Sequence, residues 1–199
     1  DEAATRDTFI DLLLAEAGWP LDQPRDREFE VSGMPNNSPG GVGFVDYVLW
    51  GADGLPLAVV EAKRTRKDPQ VGQQQAKLYA DALERQFGQR PIIYYTNGYE
   101  HWLWDDTRYP PRPVQGFATR DQLALAVQRR STRQPLASIP IDERIVERPY
   151  QQRAIRRVGE VFEQQQRRAL LVMATGSGKT RTVIALTDLL MRAGWVKRV

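Results

Sequence analysis

Cysteine is absent from the 199 residues. No disulfide framework and no cysteine-ligated zinc can therefore organise the chain, and the composition suits a reducing compartment, the cytoplasm. Histidine occurs once; His101, in a tryptophan-rich stretch, reads as a packing or surface residue rather than a catalytic base. No apolar run approaches the ~20 residues of a membrane-spanning helix, so no membrane partner is expected. The opening DEAATRDTF has neither the basic start nor the apolar stretch of a signal peptide. Repeats and low-complexity tracts are also missing. What is present is 41% hydrophobic residues, enough for a sizeable core, and 27% charged residues, enough to solvate a surface. The net charge of +3 mildly favours a polyanionic partner. The length suits one domain of ~100–200 residues, or one domain and part of a second.

Apolar periodicity divides the chain. Phe9, Leu12, Leu13 and Ala17 fall at helical spacing and predict a helix over 2–17, stopped by Gly18 and Pro20. A short strand is expected at 27–31 and a loop at 34–41. Two strong strand patterns follow, GFVDYVLW and LPLAVVEAKR, separated by the turn Gly51-Ala52-Asp53-Gly54. Residues 67–86 read as a helix entered through Asp68-Pro69. RPIIYYTN reads as a buried strand, Asn97-Gly98 as a turn, YEHWLWD as a returning strand and 119–130 as a short helix capped by Thr119. Residues 131–148, without a clear period and holding Pro135 and Pro140, read as a linker. A helix over 150–166, the apolar strand ALLVMA, a glycine loop and a helix over 179–193 come next, and Trp195 to Val199 look like the start of another strand. One strand–loop–helix unit is not a domain, so the chain reads as ending inside its second one.

The first chemical constellation lies on the hairpin. With Asp53-Gly54 as a two-residue turn, opposed residues have numbers summing to 107, which sets Asp46 across from Glu61. Directly opposed side chains have Cβ atoms ~4.5–5.5 Å apart. Lys63, two positions beyond Glu61, faces the same side. Opposed carboxylates repel, and a divalent cation such as Mg²⁺, which prefers oxygen ligands, offsets that repulsion. Such an ion polarises a phosphoryl oxygen and acidifies a bound water, and Lys63 can hold the water or neutralise charge at phosphorus. That is the equipment of phosphodiester hydrolysis. The alternative is a buried salt bridge of Lys63 with Glu61 or Asp46.

Asp46, fourteen residues, then Glu61-Ala62-Lys63 resembles the PD-(D/E)xK nuclease motif, with Val45 where the motif has its variable proline. Gln75 and Tyr79, spaced i, i+4 on one helix face, resemble the QxxxY element of the nuclease domains of type I restriction subunits. The resemblance implies that this pair borders the active site and contacts DNA. It also implies that Glu2, on the first helix, completes the metal site with Asp46 and Glu61; Glu16 and Glu28 are competitors for that role. The basic run Arg64, Arg66 and Lys67 follows at once and suits phosphate contacts.

The second constellation is ALLVMATGSGKT. Gly176 and Gly178 let backbone N–H groups turn toward phosphate oxygens, and the following helix adds its dipole. Lys179 would reach the β and γ phosphates of ATP and Thr180 would ligate Mg²⁺, with Thr175 and Ser177 in the same loop. The general phosphate-loop pattern would place glycine where Met173 stands; the ATGSGKT form resembles superfamily 2 helicases and translocases. Arg148-Pro149-Tyr150-Gln151 resembles the segment of those motors in which the glutamine, Gln151, reads the adenine edge and Tyr150 or Arg148 packs on the base.

Together these resemblances imply the R subunit of a type I restriction enzyme. The expected architecture is α/β: a mixed-sheet, restriction-endonuclease-like nuclease domain over 1–130, a linker, and from 149 to 199 the first strand–P-loop–helix unit of a RecA-like helicase domain. The implied substrate is double-stranded DNA, and the implied partners are specificity and methyltransferase subunits. The fragment alone is not expected to hydrolyse ATP. The competing reading is a superfamily 2 translocase whose first domain grips DNA without cutting it.

Overall fold

The valine, isoleucine and aromatic runs form one six-stranded sheet. The computed structural model describes residues 9–35, 41–63 and 69–196. The strands are β1 (Arg27–Ser32), β2 (Val42–Trp50), β3 (Pro56–Ala62), β4 (Ile92–Thr96), β5 (His101–Trp104) and β6 (Arg112–Val114). They lie side by side in chain order. Every neighbouring pair is antiparallel except β3 and β4, which run parallel. The helices are α1 (Asp11–Glu16), α2 (Gln73–Phe87), α3 (Arg120–Thr132), α4 (Pro149–Glu163) and α5 (Lys179–Arg192). A parallel strand pair needs a crossover, usually a helix, and α2 supplies it between β3 and β4.

Both faces of β3 and β4 are covered, which is what their unbroken apolar runs require. One face packs Tyr47, Leu49, Ala58, Val60 and Tyr94 with Ile10, Leu14 and Leu123. The other packs Val48, Trp50, Val59, Ile93 and Tyr95 against Ala76, Tyr79, Ala80 and Leu83 of α2. Arg90 ties the end of α2 to the segment after β5, pairing with Asp81, Glu84 and Asp106. Burial works to lower its pKa, but the bonds from Asp106 and Asp81 outweigh it and the net shift is upward.

The hairpin turn is wider than the two residues expected. Gly51 N donates to Leu55 O at 2.8 Å and Gly54 N to Gly51 O at 3.1 Å. Leu49 then faces Ala58 while Trp50 faces Pro56, so Leu57 is an extra residue, a bulge. Pro56 has no N–H to give the ladder, which suits the irregularity at this end. The two departures cancel, and Tyr47 faces Val60 and Val48 faces Val59.

The chain divides into two compact units between Val127 and Gln128, within α3. The second unit has its own core of Leu136, Val146, Ile155, Ala185, Leu189 and Ala193. Three expectations fail there. Residues 131–148 are not a free linker: Leu136 and Val146 are buried, Arg156 Nη1 donates to Leu136 O, and Leu136 N to Glu163 Oε1. ALLVMA is not a buried strand; Leu170 and Val172 are 89% and 84% exposed. A strand exists only through its ladder, and among the described residues of this unit no second strand pairs with it. Trp195 and Val196 are likewise outside any strand, and Trp195 Nε1 instead donates to Gln134 O. In the first unit, β6 was not foreseen, and the expected first helix is described only as α1.

Candidate active site

Asp46 lies mid-strand in β2 and Glu61 one residue from the end of β3. The β2–β3 pairing runs out to Tyr47 and Val60 and stops one residue short of Asp46 and Glu61. The ladder is irregular at this point. Val45 and Val48 belong to the same core layer, although alternation would send them to opposite faces. The β1–β2 pairing passes from Arg27↔Tyr47 to Phe29↔Val45, and Glu28 between them has φ of 47°, a conformation uncommon outside glycine. Asp46 thus stands at the break, where its side chain turns to β3: Oδ2 accepts the backbone N–H of Ala62 at 2.7 Å.

Lys63 Nζ donates to Glu61 Oε1 at 2.6 Å and to Gln75 Oε1 at 2.9 Å. The buried pair offered by the alternative reading is therefore present. A lysine can only donate, so Gln75 must turn its oxygen to Lys63 and its amide nitrogen away. That nitrogen donates to Tyr79 OH at 2.7 Å. Tyr79 oxygen is the acceptor there, which directs its own proton away from Gln75. Burial raises the Tyr79 pKa; the Gln75 bond opposes, the fields of Glu61 and Asp46 raise it further, and Lys63 opposes. Both carboxylates and the ammonium thus act on one hydroxyl: Asp46, Glu61, Lys63, Gln75 and Tyr79 converge beside α2.

The donor set is two carboxylates and a lysine, with no sulfur or imidazole; oxygen ligands of this kind fit a hard divalent cation. Among the described residues no group of three or more His, Cys, Asp or Glu side chains gathers to hold a metal. Glu2, Arg64, Arg66 and Lys67 lie outside the described residues. Glu16, on α1, and Glu28 are both exposed.

Sequence reasoning missed two glycines that make room for the site. A Cβ on Gly72 would sit 3.2 Å from Glu61 Cγ and 3.3 Å from Lys63 Cε, and one on Gly43 only 2.8 Å from Tyr79 Cε1. No local spacing encodes such contacts. It also missed the role of β4: Lys63 N donates to Thr96 O at 2.8 Å, which fixes how the chain leaves β3.

In the second unit, Gly176 and Gly178 have φ of 79° and 82°, and Gly178 caps the start of α5. The loop's N–H groups therefore sit at a helix N-terminus, a ready anion-binding arrangement. Ser177 O accepts from Tyr150 OH at 2.8 Å and Gln151 Nε2 at 3.0 Å, and Arg148 Nη1 donates to Tyr150 OH at 2.9 Å. Lys179 Nζ lies 3.4 Å from both Met173 O and Ala174 O, while Thr175 and Thr180 are exposed. Gln151, expected at an adenine edge, is buried under the loop; a Cβ on Gly178 would lie 2.4 Å from its Nε2.

A mixed α/β sheet with two carboxylates and a lysine near its one parallel pairing, followed by a glycine loop on a helix N-terminus, defines the class. Residues 40–112 match the family model described as the type I restriction enzyme R protein N terminus. Residues 144–199 match that of the type III restriction enzyme, res subunit. The chain is 28% identical to the type I restriction enzyme EcoKI endonuclease subunit of Escherichia coli strain K12, over 96% of this chain and 21% of that protein. It is 30% identical to the EcoAI endonuclease subunit of Escherichia coli, over 77% of this chain and 20% of that protein. A solved fragment assigned as an HsdR subunit of a type I restriction enzyme from Vibrio vulnificus YJ016 superposes with a TM-score of 0.50 and 30% identity. That match covers 99% of this chain and 39% of that one. Together these matches support a fragment of a type I restriction enzyme R subunit. It spans about a fifth of the length of the curated relatives it matches.

Proposed function

We propose that this chain carries the DNA-cutting site and the ATP-phosphate cradle of a type I restriction enzyme R subunit. The observation that supports the cutting site best is the chain of bonds from Glu61 through Lys63 and Gln75 to Tyr79, with Asp46 alongside. Asp46 and Glu61, completed by Glu2, would hold Mg²⁺, which when bound polarises a phosphoryl oxygen and acidifies a water. Lys63 neutralises charge that develops on the phosphorus oxygens. Gln75 holds that ammonium in place and leaves the Tyr79 hydroxyl to donate to a phosphate oxygen. Arg64, Arg66 and Lys67 bind neighbouring phosphates of double-stranded DNA.

In the second unit the amides of Thr175 to Gly178 cradle ATP phosphates, Lys179 reaches the β and γ groups, and Thr180 serves the accompanying Mg²⁺. Arg148 and Tyr150 flank the base. Gln151, bonded to Ser177 O, props the loop rather than projecting to an adenine. In the longer subunit this cradle drives translocation along DNA, in complex with specificity and methyltransferase subunits.

The test is nicking of a supercoiled plasmid with Mg²⁺, comparing the chain with Lys63→Ala. Nicking by the parent and none by the variant is the expected result. Equal nicking by both would overturn the assignment. DNA binding without nicking by the parent would favour a gripping domain that does not cut.

A further inference from the structure

Beyond the carboxylates and lysine, one segment at the same end of the sheet has an unexplained construction. β4 runs parallel to β3, so the turn after Thr96 emerges beside Lys63, and the bond from Lys63 N to Thr96 O locks the two together. Three polar residues, Thr96, Asn97 and His101, are buried there. All three bond within the turn. Gly98 N donates to Thr96 Oγ1 at 3.0 Å, Thr96 Oγ1 bonds His101 Nδ1 at 2.8 Å, and Asn97 Oδ1 accepts from Tyr99 N at 3.1 Å and Glu100 N at 2.8 Å. A bonded polar network of this kind rigidifies what it holds.

What it holds outward is Tyr99, 64% exposed, its ring 4.8 Å from that of Phe9. Large aromatics on a stiff support are the device by which proteins stack bases of a nucleic acid strand. Tyr99 follows Thr96 by three residues, so it stands within about 11 Å of it. A DNA strand advances about 3.4 Å per nucleotide, which sets Tyr99 within roughly three nucleotides of the phosphate at Lys63. Exposed Glu100 on the same turn disfavours a phosphate there and leaves a base as the fitting partner.

We infer that the β4–β5 turn is a stacking platform: the Tyr99 ring receives an unstacked nucleobase of the strand being cut. This rests on the nuclease reading above. Fluorescence anisotropy of the whole chain, with Ca²⁺ replacing Mg²⁺, would compare a labelled duplex carrying a short unpaired stretch with the same duplex fully paired. The expected result is tighter binding of the unpaired form by the parent and by Tyr99→Phe. Tyr99→Ala should lose roughly 5- to 150-fold on that form, the span of one base stack. The slope of affinity against salt should stay unchanged, because no phosphate contact is removed. Equal binding by parent and Tyr99→Ala, or a changed slope, would overturn the inference even if Lys63→Ala still abolishes nicking. If Lys63→Ala nicks normally, the nuclease reading fails while the Tyr99 measurement stands on its own.

Discussion

Single atoms decide how Lys63 is held. Gly72 faces Glu61 Cγ and Lys63 Cε at 3.2 and 3.3 Å from where its Cβ would be, and both side chains are nearly buried, so neither can swing clear. Gly72→Ala should therefore displace the ammonium. Misplacing a catalytic group by about 1 Å can cost on the order of 100-fold, so plasmid nicking should slow by at least about tenfold, with the far-ultraviolet circular dichroism unchanged. Nicking at the parent rate would show that the site yields. His101 offers a pH test at the same scale. Burial lowers its pKa below the ordinary 6.5, so below that pH the unfolded chain takes a proton that the folded chain refuses. Unfolding is thereby favoured as pH falls from 6.5 toward the lowered value, and the loss stops growing beneath it. Urea midpoints measured between about pH 8 and pH 5 should fall more for the parent than for His101→Gln; parallel curves would contradict the assignment.

Elements were legible in the sequence wherever distance along the chain maps onto distance in space. Spacing of i, i+4 brought Gln75 to Tyr79, and the hairpin pattern brought Asp46 to the end of β3, where its carboxylate bonds Ala62 N although the alternation breaks there. Contacts between distant elements left no such trace: Gly43 against Tyr79 and Thr96 against Lys63 come together only when α2 crosses over and β4 pairs. The Arg90 cluster belongs to this second kind. Its guanidinium is buried and its partners come from α2 and from the segment after β5. Removing one partner of a buried ion pair strands the others and typically costs about 3–5 kcal/mol; exposure of Asp81 and Glu84 moves the expectation to the low end. Arg90→Ala should lower the urea midpoint by the equivalent of about 3 kcal/mol, and an unchanged midpoint would show that the cluster is ornamental.

At the scale of the whole molecule, each unit has a separate core and a separate set of chemical groups. The apolar segment ALLVMA shows why the second unit was the harder one to read: an apolar run specifies burial, but a ladder needs a neighbour, and Leu170 and Val172 stay exposed without one. The separation of cores makes a double prediction for the longer subunit and the complex proposed above. Asp46 bonds the end of β3, and the second core is built from residues of the second unit alone, so Asp46→Ala should abolish DNA cleavage and leave ATP hydrolysis at the parent rate. Lys179 stands at the start of α5 beside the glycine loop, so Lys179→Ala should abolish ATP hydrolysis, and cleavage that depends on translocation should stop with it. The two substitutions differ in what survives: Mg²⁺-dependent nicking by the isolated 199-residue chain should persist in Lys179→Ala and vanish in Asp46→Ala. Loss of ATP hydrolysis in Asp46→Ala, measured as phosphate release on DNA, would mean that the two chemistries share a structural element.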